Sequence, residues 1–558
     1  MSNFQLRCVS SLEKCFYDER PSEKPATDHF TMFSNQRLSF QILYRYEAEE
    51  LATLRNCPLR LTGSLAPFVK VSAVFNVPNM FPTYGQNPGG AFLRTEPGMY
   101  PDLIRPLVYP NAVSLPCNQT HAIWIDVEPC AELTAGNYEL TVSVLREGTE
   151  ELLGEVSCHV RVLAAQLPRQ TLIHTEWFYT DCIANHYHVS AFSEAHWRYI
   201  ERFLRTAVEN GINMILTPLF TPELDTYIGG ERLTTQLVDI ERTEEGKYLF
   251  GFDKLHRWID LCLACGVEYF EIPHFFTQWG ATAAPKIIVK VKGRKRKYFG
   301  WQTDSMGAEY ASFLDQFLPA VLEQFRARGL DKKCFFHISD EPKLSQLEQY
   351  RRCKELVARH LEGYPIIDAL SDFDFYRTGV LEKPVPHTRG AEPFLEAKVP
   401  GLWVYYCGGG REGVSDRSIS MPLARTRILG VQLYYYNIEG FLHWGYNFYN
   451  TNRSYDVIDP FGCTDGVFFT PAGDCFLVYP GTDGEAWRSL RLNALREAMD
   501  DMRALRLYEE RFGREATLAL ILEGTDGSLT FTHYPAEADY LLALREKIAQ
   551  AISADKRA

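Results

Sequence analysis

Residues Thr171–Thr180 read TLIHTEWFYT, and Ser193–Gly211 read SEAHWRYIERFLRTAVENG. The first piece is a short apolar, β-branched run that finishes in polar and aromatic residues, as a buried strand does where it meets a loop. The second places Trp197, Ile200, Phe203, Leu204 and Val208 at helical spacing and stops at glycine. A strand followed by an amphipathic helix is half of a parallel crossover unit, and here it repeats. INMILTPLF precedes KLHRWIDLCLACG; EYFEIPHFF leads, after a long insertion, to AEYASFLDQFLPAVLEQFRARG. CFFHISDEP is followed by LSQLEQYRRCKELVARHLEG; then come PIIDALSD, GLWVYY, the helical MPLARTRILGVQLYYYN, and GFLHWGYNFY. Such repetition predicts parallel strands with crossover helices, and about eight units fit a (β/α)8, TIM-like barrel, for which ~250 residues are typical. A doubly wound sheet is the alternative, but no GxGxxG follows the first strand. Gly408–Gly410 lack that spacing and read as a loop.

Upstream of Leu163 the pattern is different. RLSFQILYRY, FVKVSAVFNV, HAIWIDVEP and GNYELTVSVL bunch or alternate β-branched and aromatic residues between turn-rich pieces such as NPGG and LTAGN. These predict an antiparallel β-sandwich, with Leu140, Val142 and Val144 on one face and Thr141 and Ser143 on the other. The change falls in AAQLPRQ, so the expected domains are a sandwich over 1–165 and a catalytic barrel with closing helices over 166–558. Beyond Pro480, EAWRSLRLNALREAMDDMRALRLYEERFG and AEADYLLALREKIAQAISADKRA supply those helices.

The net charge of −13 argues against nucleic acid as a partner, because phosphate binding needs positive surface. The one basic run, KVKGRKRKYF at Lys290–Phe299, reads as a solvated hairpin. The amino terminus lacks an export signal, and no apolar run reaches the length of a membrane span. Fourteen scattered cysteines fit reduced thiols, and the single CxxC, Cys262–Cys265, has no second pair for zinc and reads as core packing. A cytoplasmic protein is expected.

Chemistry in a barrel sits where the strands end. The ends read HTEWFYTD, IPHFFTQW, HISDEP, DALSDFD, WVYYCGGG and HWGYNFYN. They gather acids, amides and rings, among them Trp279, Trp301, Trp403, Tyr405, Trp444 and Tyr446. Rings stack on sugar faces while acids and amides bond hydroxyls, so a carbohydrate cleft is expected. Within FFHISDEP (Phe335–Pro342) two acids, Asp340 and Glu341, stand side by side. Glycoside hydrolysis generally uses two carboxylates. Neighbours on a regular strand face opposite ways, so both reach one cleft only if the strand breaks, and Pro342 is expected to break it. Crowding would keep one of the two protonated. The bland alternative is that Glu341 caps the next helix and Asp340 makes a salt bridge. His337 is expected to be a satisfied interior histidine.

HISDEP, followed downstream by GFLHWGYNFY and by GDCFLVYPG with SLRLNALREAMDDM, resembles the catalytic region of family 123 glycoside hydrolases. YPDLIRPL, AIWIDVEP and AGNYELTVSVL resemble the β-sandwich that precedes the barrel in that group. The resemblance implies a retaining, exo-acting β-N-acetylgalactosaminidase working by substrate assistance. Under it, Glu341 is the general acid/base, and Asp340 holds the 2-acetamido group and stabilises the oxazolinium formed when the acetamido oxygen attacks C1. No metal or cofactor is implied. The partner is a small oligosaccharide or glycoconjugate, with a homo-oligomer compatible and no membrane or nucleic acid involved.

Strand-end placement adds Trp403, Tyr405 and Trp444 as walls for the sugar, Tyr436 for the acetamido oxygen, and Asn447, Asp368 and His274 for hydroxyls. The alternative for each is a packed residue of the barrel mouth. Two other functions stay open at this point. One is a glycosidase with a carboxylate nucleophile, drawn from Asp368, Asp372 or Glu176. The other is a non-catalytic sugar-binding protein.

Overall fold

The computed structural model of the chain describes residues 4–83, 92–109, 111–408 and 413–555. The NPGG turn and most of the CGGGREG loop lie outside them.

The first part of the chain forms two five-stranded sheets. One runs Phe4–Ser10, Leu38–Tyr46, Thr120–Val127, Val69–Asn79, Gly98–Pro106, antiparallel throughout. The other runs His29–Phe33, Leu152–Leu163, Gly136–Leu145, Thr53–Thr62, Ala112–Pro116. The expected all-antiparallel arrangement needs one correction: His29–Phe33 pairs parallel with Leu152–Leu163. A parallel pair needs a long connection, and nearly the whole of this region supplies it. Leu140, Val142 and Val144 point inward as their alternation predicts, into a core with Phe40, Ile42, Ile123 and Ile125. Ser143, assigned to the outer face, is buried as well.

A second, larger core lies downstream. Six parallel strands form one sheet in the order β4-β3-β2-β1-β8-β7, where β1 is Ile173–Glu176, β2 Met214–Leu216, β3 Tyr269–Ile272, β4 Cys334–Phe336, β7 Trp403–Tyr405 and β8 Gly440–His443. Two more parallel strands, β5 (Ile367–Ala369) and β6 (Lys383–Val385), pair with each other. Single parallel bridges, Phe336 to Ile366 and His387 to Tyr405, link this pair to β4 and to β7. The eight segments thus neighbour one another in chain order. Sequence reading missed β6, because Pro384 and Pro386 flank Val385 and proline demotes a strand.

Helices separate these strands, among them Glu194–Glu209, Asp253–Cys265, Ala308–Arg326 and Leu347–Ala358. Cys262 and Cys265 are buried in the second of these. The insertion before Ala308 contributes two strands, Ile287–Val291 and Arg294–Phe299, which form the expected hairpin and join Asp239–Arg242 and Tyr248–Gly251, from the segment after β2, in a four-stranded sheet. Its two-residue turn has positive φ at both Lys292 and Gly293, as the tight hairpin turns matching strand twist require.

The long helix Leu490–Phe512, capped by the Ser489 hydroxyl, closes the molecule against the helix Leu429–Tyr435. The approach is so close that a Cβ on Gly430 would stand 1.9 Å from the Ala498 carbonyl oxygen. The same helix reaches the first of the two five-stranded sheets. Arg491 donates to both oxygens of Asp102 at 2.9 and 2.8 Å, and Tyr479 OH donates to Asp102 at 2.7 Å. No described helix is long and apolar enough to cross a membrane.

Candidate active site

The strand that carries the paired acids ends early. After Phe336 the chain leaves the sheet, and Glu341 adopts φ +42, the left-handed region that non-glycine residues rarely occupy. The break expected from Pro342 is therefore made one residue earlier, by Glu341 itself, with Pro342 following. Three hydrogen bonds hold the turn. Ser339 Oγ donates to Thr277 O at 2.9 Å, Trp279 N to Asp340 O at 3.2 Å, and Glu341 N to Ala369 O at 3.1 Å. Strain of this kind is sustained where surrounding structure imposes it, and it concentrates at functional sites. Here it lets both carboxylates line one cleft of about 260 Å3.

Asp340 is half-buried and Glu341 exposed. Burial, then the negative charges of Glu341, Asp368 and Asp225, push the Asp340 carboxyl well above the usual carboxylate value, against the pull of His337. Burial first and crowding second thus favour a proton on one of the two acids, Asp340. Tyr405 OH donates to Glu341 Oε1 at 2.7 Å and fixes that side chain. Burial, and next to it the Glu341 charge, keep the Tyr405 phenol protonated.

Behind the acids lies a fully buried charge cluster. His337 Nε2 meets Glu271 Oε1 at 2.6 Å and His337 Nδ1 meets Asp368 Oδ1 at 3.1 Å. Burial alone would lower the His337 pKa, but the two carboxylates raise it to about 9. An imidazolium between two carboxylates results, which is the satisfied interior histidine expected. Asp368 also accepts from Ile338 N at 3.1 Å and from Tyr350 OH at 2.5 Å. Burial outweighs the pull of these donors and of His337, and the Asp368 carboxyl sits above the usual carboxylate value. Trp177 Nε1 donates to Glu271 at 2.8 Å, so the cluster also sets a ring of the cleft wall.

His274, His337 and Asp368 bring potential ligand atoms within 4.8 Å of one another. Both His337 nitrogens are already committed to carboxylates, however, so the cluster as arranged is satisfied by a proton. The His274 ring lies 4.3 Å from that of His337; neither nitrogen makes a hydrogen bond, and Nε2 stands 3.8 Å from Asp368 Oδ1. Burial and the neighbouring positive charge hold it neutral.

On the opposite wall, Asp474 accepts from four donors: His443 Nε2 at 3.1 Å, Trp444 Nε1 at 3.2 Å, Thr470 Oγ1 at 3.0 Å and Gly408 N at 3.2 Å. Burial would raise it, but His443 and Arg417 outweigh burial and hold it ionised. Asp225 also lines the cleft. Burial lifts its pKa to about 6, against a hydrogen bond from Arg453 N at 2.8 Å. Trp177, Tyr179, Trp279, Trp444 and Phe469 supply the rings. Tyr179 is set by Arg232, whose guanidinium lies 4.7 Å from its ring and forms a buried ion pair with Asp181.

Of the residues named from sequence, Asp340, Glu341, Trp279, Tyr405 and Trp444 meet in this cleft. The others do not line it. Trp403 is buried against Phe335, ring centroids 5.2 Å apart. Tyr436 stacks on Phe531 and donates to Leu529 O at 3.0 Å. Asn447 spends its amide on the Tyr179 backbone, accepting from N at 2.8 Å and donating to O at 3.0 Å. Asp368 and His274 belong to the buried cluster. Among the alternative nucleophiles, Glu176 is fully buried, and although burial would raise its pKa, Arg417 and two histidines bring it to about 2. Asp372 lies outside the cleft lining and accepts from Asp374 N.

Sequence reading missed Asp225, Gln278, Thr470 and Asp474. Asp225 sits just past the end of β2 in TPELD, where an acid after a strand end was a usable signal. Asp474 comes from a long loop beyond β8 with no periodicity to place it. A larger cleft, about 930 Å3, lies elsewhere, between the N-terminal sheets and the C-terminal helices. The smaller one is the candidate because the paired acids, the strained turn and the rings converge there.

Residues 177–508 match glycoside hydrolase 123, catalytic domain. The structure is similar to that of a family 123 glycoside hydrolase from Clostridium perfringens studied for glycolipid glycan hydrolysis. That likeness has a TM-score of 0.71 at 14% identity and covers 99% of this chain and 97% of that one. It shows a shared fold over nearly both full lengths. An endo-beta-1,4-mannanase from Thermotoga petrophila aligns over 61% of this chain and 78% of its own at 12% identity, with a TM-score of 0.31. No curated protein matches the chain. The match to the catalytic domain spans more than half of the chain, all eight parallel strands but β1, and the paired acids with their cleft: the protein is a glycoside hydrolase and belongs to family 123.

Proposed function

We propose that the chain is a retaining, exo-acting β-N-acetylhexosaminidase, cleaving terminal β-N-acetylgalactosamine from a small oligosaccharide or glycoconjugate by substrate assistance. The eight neighbouring parallel segments are its (β/α)8 catalytic barrel, over 166–558, and the two preceding sheets its sandwich domain, over 1–165. The adjacency of Asp340 and Glu341 in a one-sugar cleft carries the reading. A cleft at the small end of ligand pockets suits a single 2-acetamido sugar. Trp177, Tyr179, Trp444 and Phe469 offer stacking faces, and Asp474, ionised and held by four donors, fixes the Trp444 side of the wall.

The free pair favours a proton on Asp340. An acetamido N–H arriving at Asp340 stabilises its carboxylate, while the sugar strips water from Glu341, so the proton moves to Glu341. Glu341, held by Tyr405, then protonates the leaving oxygen as the acetamido oxygen attacks C1. Asp340, now ionised, balances the positive oxazolinium. Glu341 finally takes a proton from the water that opens the ring at C1, restoring the β-configured hemiacetal. Asp225 would have to serve as nucleophile in the second reading, since Asp474 is fully committed. Proton NMR of the first-formed product tests the proposal: the β-anomer is expected, and the α-anomer appearing first would refute retention.

A further inference from the structure

Non-glycine residues with left-handed backbone are concentrated around the cleft mouth. Asp225, Trp279, Ala281, Glu341, Arg453, Ser454, Val467 and Phe468 all have φ between +42 and +61. Large apolar side chains are exposed in the same loops: Trp279 at 39%, Tyr455 at 66% and Phe468 at 65%. Strained backbone persists only where its surroundings enforce it, and exposed rings beside a cleft mark a contact surface.

The loops form one connected rim. Trp279 N is bonded to Asp340 O, which ties this ring to the turn bearing both acids. The Arg453 guanidinium lies 5.5 Å from the Trp279 ring centroid. The Arg453 backbone bonds Asp225 through N and accepts from Tyr227 N through O at 3.0 Å. Tyr227 and Tyr455 then stack with centroids 4.3 Å apart and planes 8° from parallel. Gln278 Oε1 accepts from Asp225 N at 2.7 Å and closes the set. Among the described residues the Arg453 guanidinium makes no ion pair; its contact is the tryptophan face.

We infer that this rim is the leaving-group subsite, and that it selects a second sugar carrying an acidic substituent. The inference rests on the hexosaminidase reading. The acid that protonates the glycosidic oxygen must sit between the cleaved sugar and its leaving group. Glu341 is exposed at the mouth while the cleft lies inward, so the second sugar extends outward over Trp279. A sugar ring stacks on that face, and a carboxylate or sulfate on it meets the Arg453 guanidinium, which makes no ion pair among the described residues and interacts with the Asp225 charge only through space. Tyr227 and Tyr455 hold the loop that presents the guanidinium.

The test compares three substrates with the same 2-acetamido sugar in β-linkage: the azide, a disaccharide with a neutral second sugar, and one with an acidic second sugar. In Trp279→Ala, kcat/KM on the disaccharides is expected to fall about ten-fold further than on the azide, the size of one good ring contact. In Arg453→Gln, the preference for the acidic disaccharide over the neutral one is expected to vanish. Equal losses on azide and disaccharides in Trp279→Ala overturn the subsite. An acidic preference absent from the wild type, or intact in Arg453→Gln, overturns the charge selection. Failure of the wild type to cleave all three overturns the hexosaminidase reading and the subsite with it.

Discussion

Replacing His337 by glutamine tests whether a buried imidazolium underpins the acid pair. The side chain, Glu271 and Asp368 are all fully buried, with contacts of 2.6 and 3.1 Å. Removing the cation leaves two carboxylates without a counter-charge, and breaking a buried pair from one side costs about 3–5 kcal/mol. Linkage gives a second, independent figure. The His337 pKa rises from 6.5 to about 9 on folding, worth about 3 kcal/mol. Because the folded value is the higher one, this stability is fully present below the unfolded pKa and is lost as pH rises through about 9. Urea unfolding followed by tryptophan fluorescence at pH 6 and at pH 9.5 reads both effects, compared as midpoints because a chain with two cores is not assured two-state unfolding. The variant should unfold at much lower urea at pH 6, and the gap to wild type should narrow at pH 9.5. A gap of equal size at both pH values would refute the charged state of His337, whatever the size of the loss.

Glu341→Gln is expected to lower kcat/KM roughly 100-fold or more on substrates with poor leaving groups, and far less on activated aryl ones that need no proton. Equal losses on both would remove Glu341 from the acid role. Gly445→Ala should reach the cleft from behind, since the added Cβ would lie 2.5 Å from Asp474 O and 2.7 Å from Cys475 O. Overpacking of this kind costs about 1–3 kcal/mol and displaces Asp474 with Trp444. A lower melting temperature with weakened sugar binding is expected, and unchanged melting would contradict the packing.

The alternation of strand and helix was legible because buried parallel strands and amphipathic helices each impose their own apolar pattern. That pattern located seven of the eight parallel strands and failed at β6, where proline masks a short strand. Asp340 and Glu341 were legible because two acids closing an apolar run conflict with burial, and a conflict of that kind marks a site. The side chains inferred from strand ends fared differently: Tyr405 and Trp444 face the cleft, whereas Trp403, Asp368 and Asn447 do not. Which way a side chain turns at a strand end depends on where the pleat breaks, and the sequence carries no period there. Asp474 comes from a loop whose course is set by tertiary hydrogen bonds, so nothing local announces it, whereas Asp225 follows a strand end and had that much of a local signal.

The central claim is that the substrate's own acetamido group is the nucleophile. Hydrolysis of aryl 2-acetamido-β-galactoside and of the plain aryl β-galactoside, each with and without a thiazoline that mimics the oxazolinium ring, measures it most directly. Cleavage confined to the acetamido sugar and competitive inhibition by the thiazoline are predicted. Cleavage of the plain galactoside at a similar rate, unaffected by the thiazoline, would contradict the account.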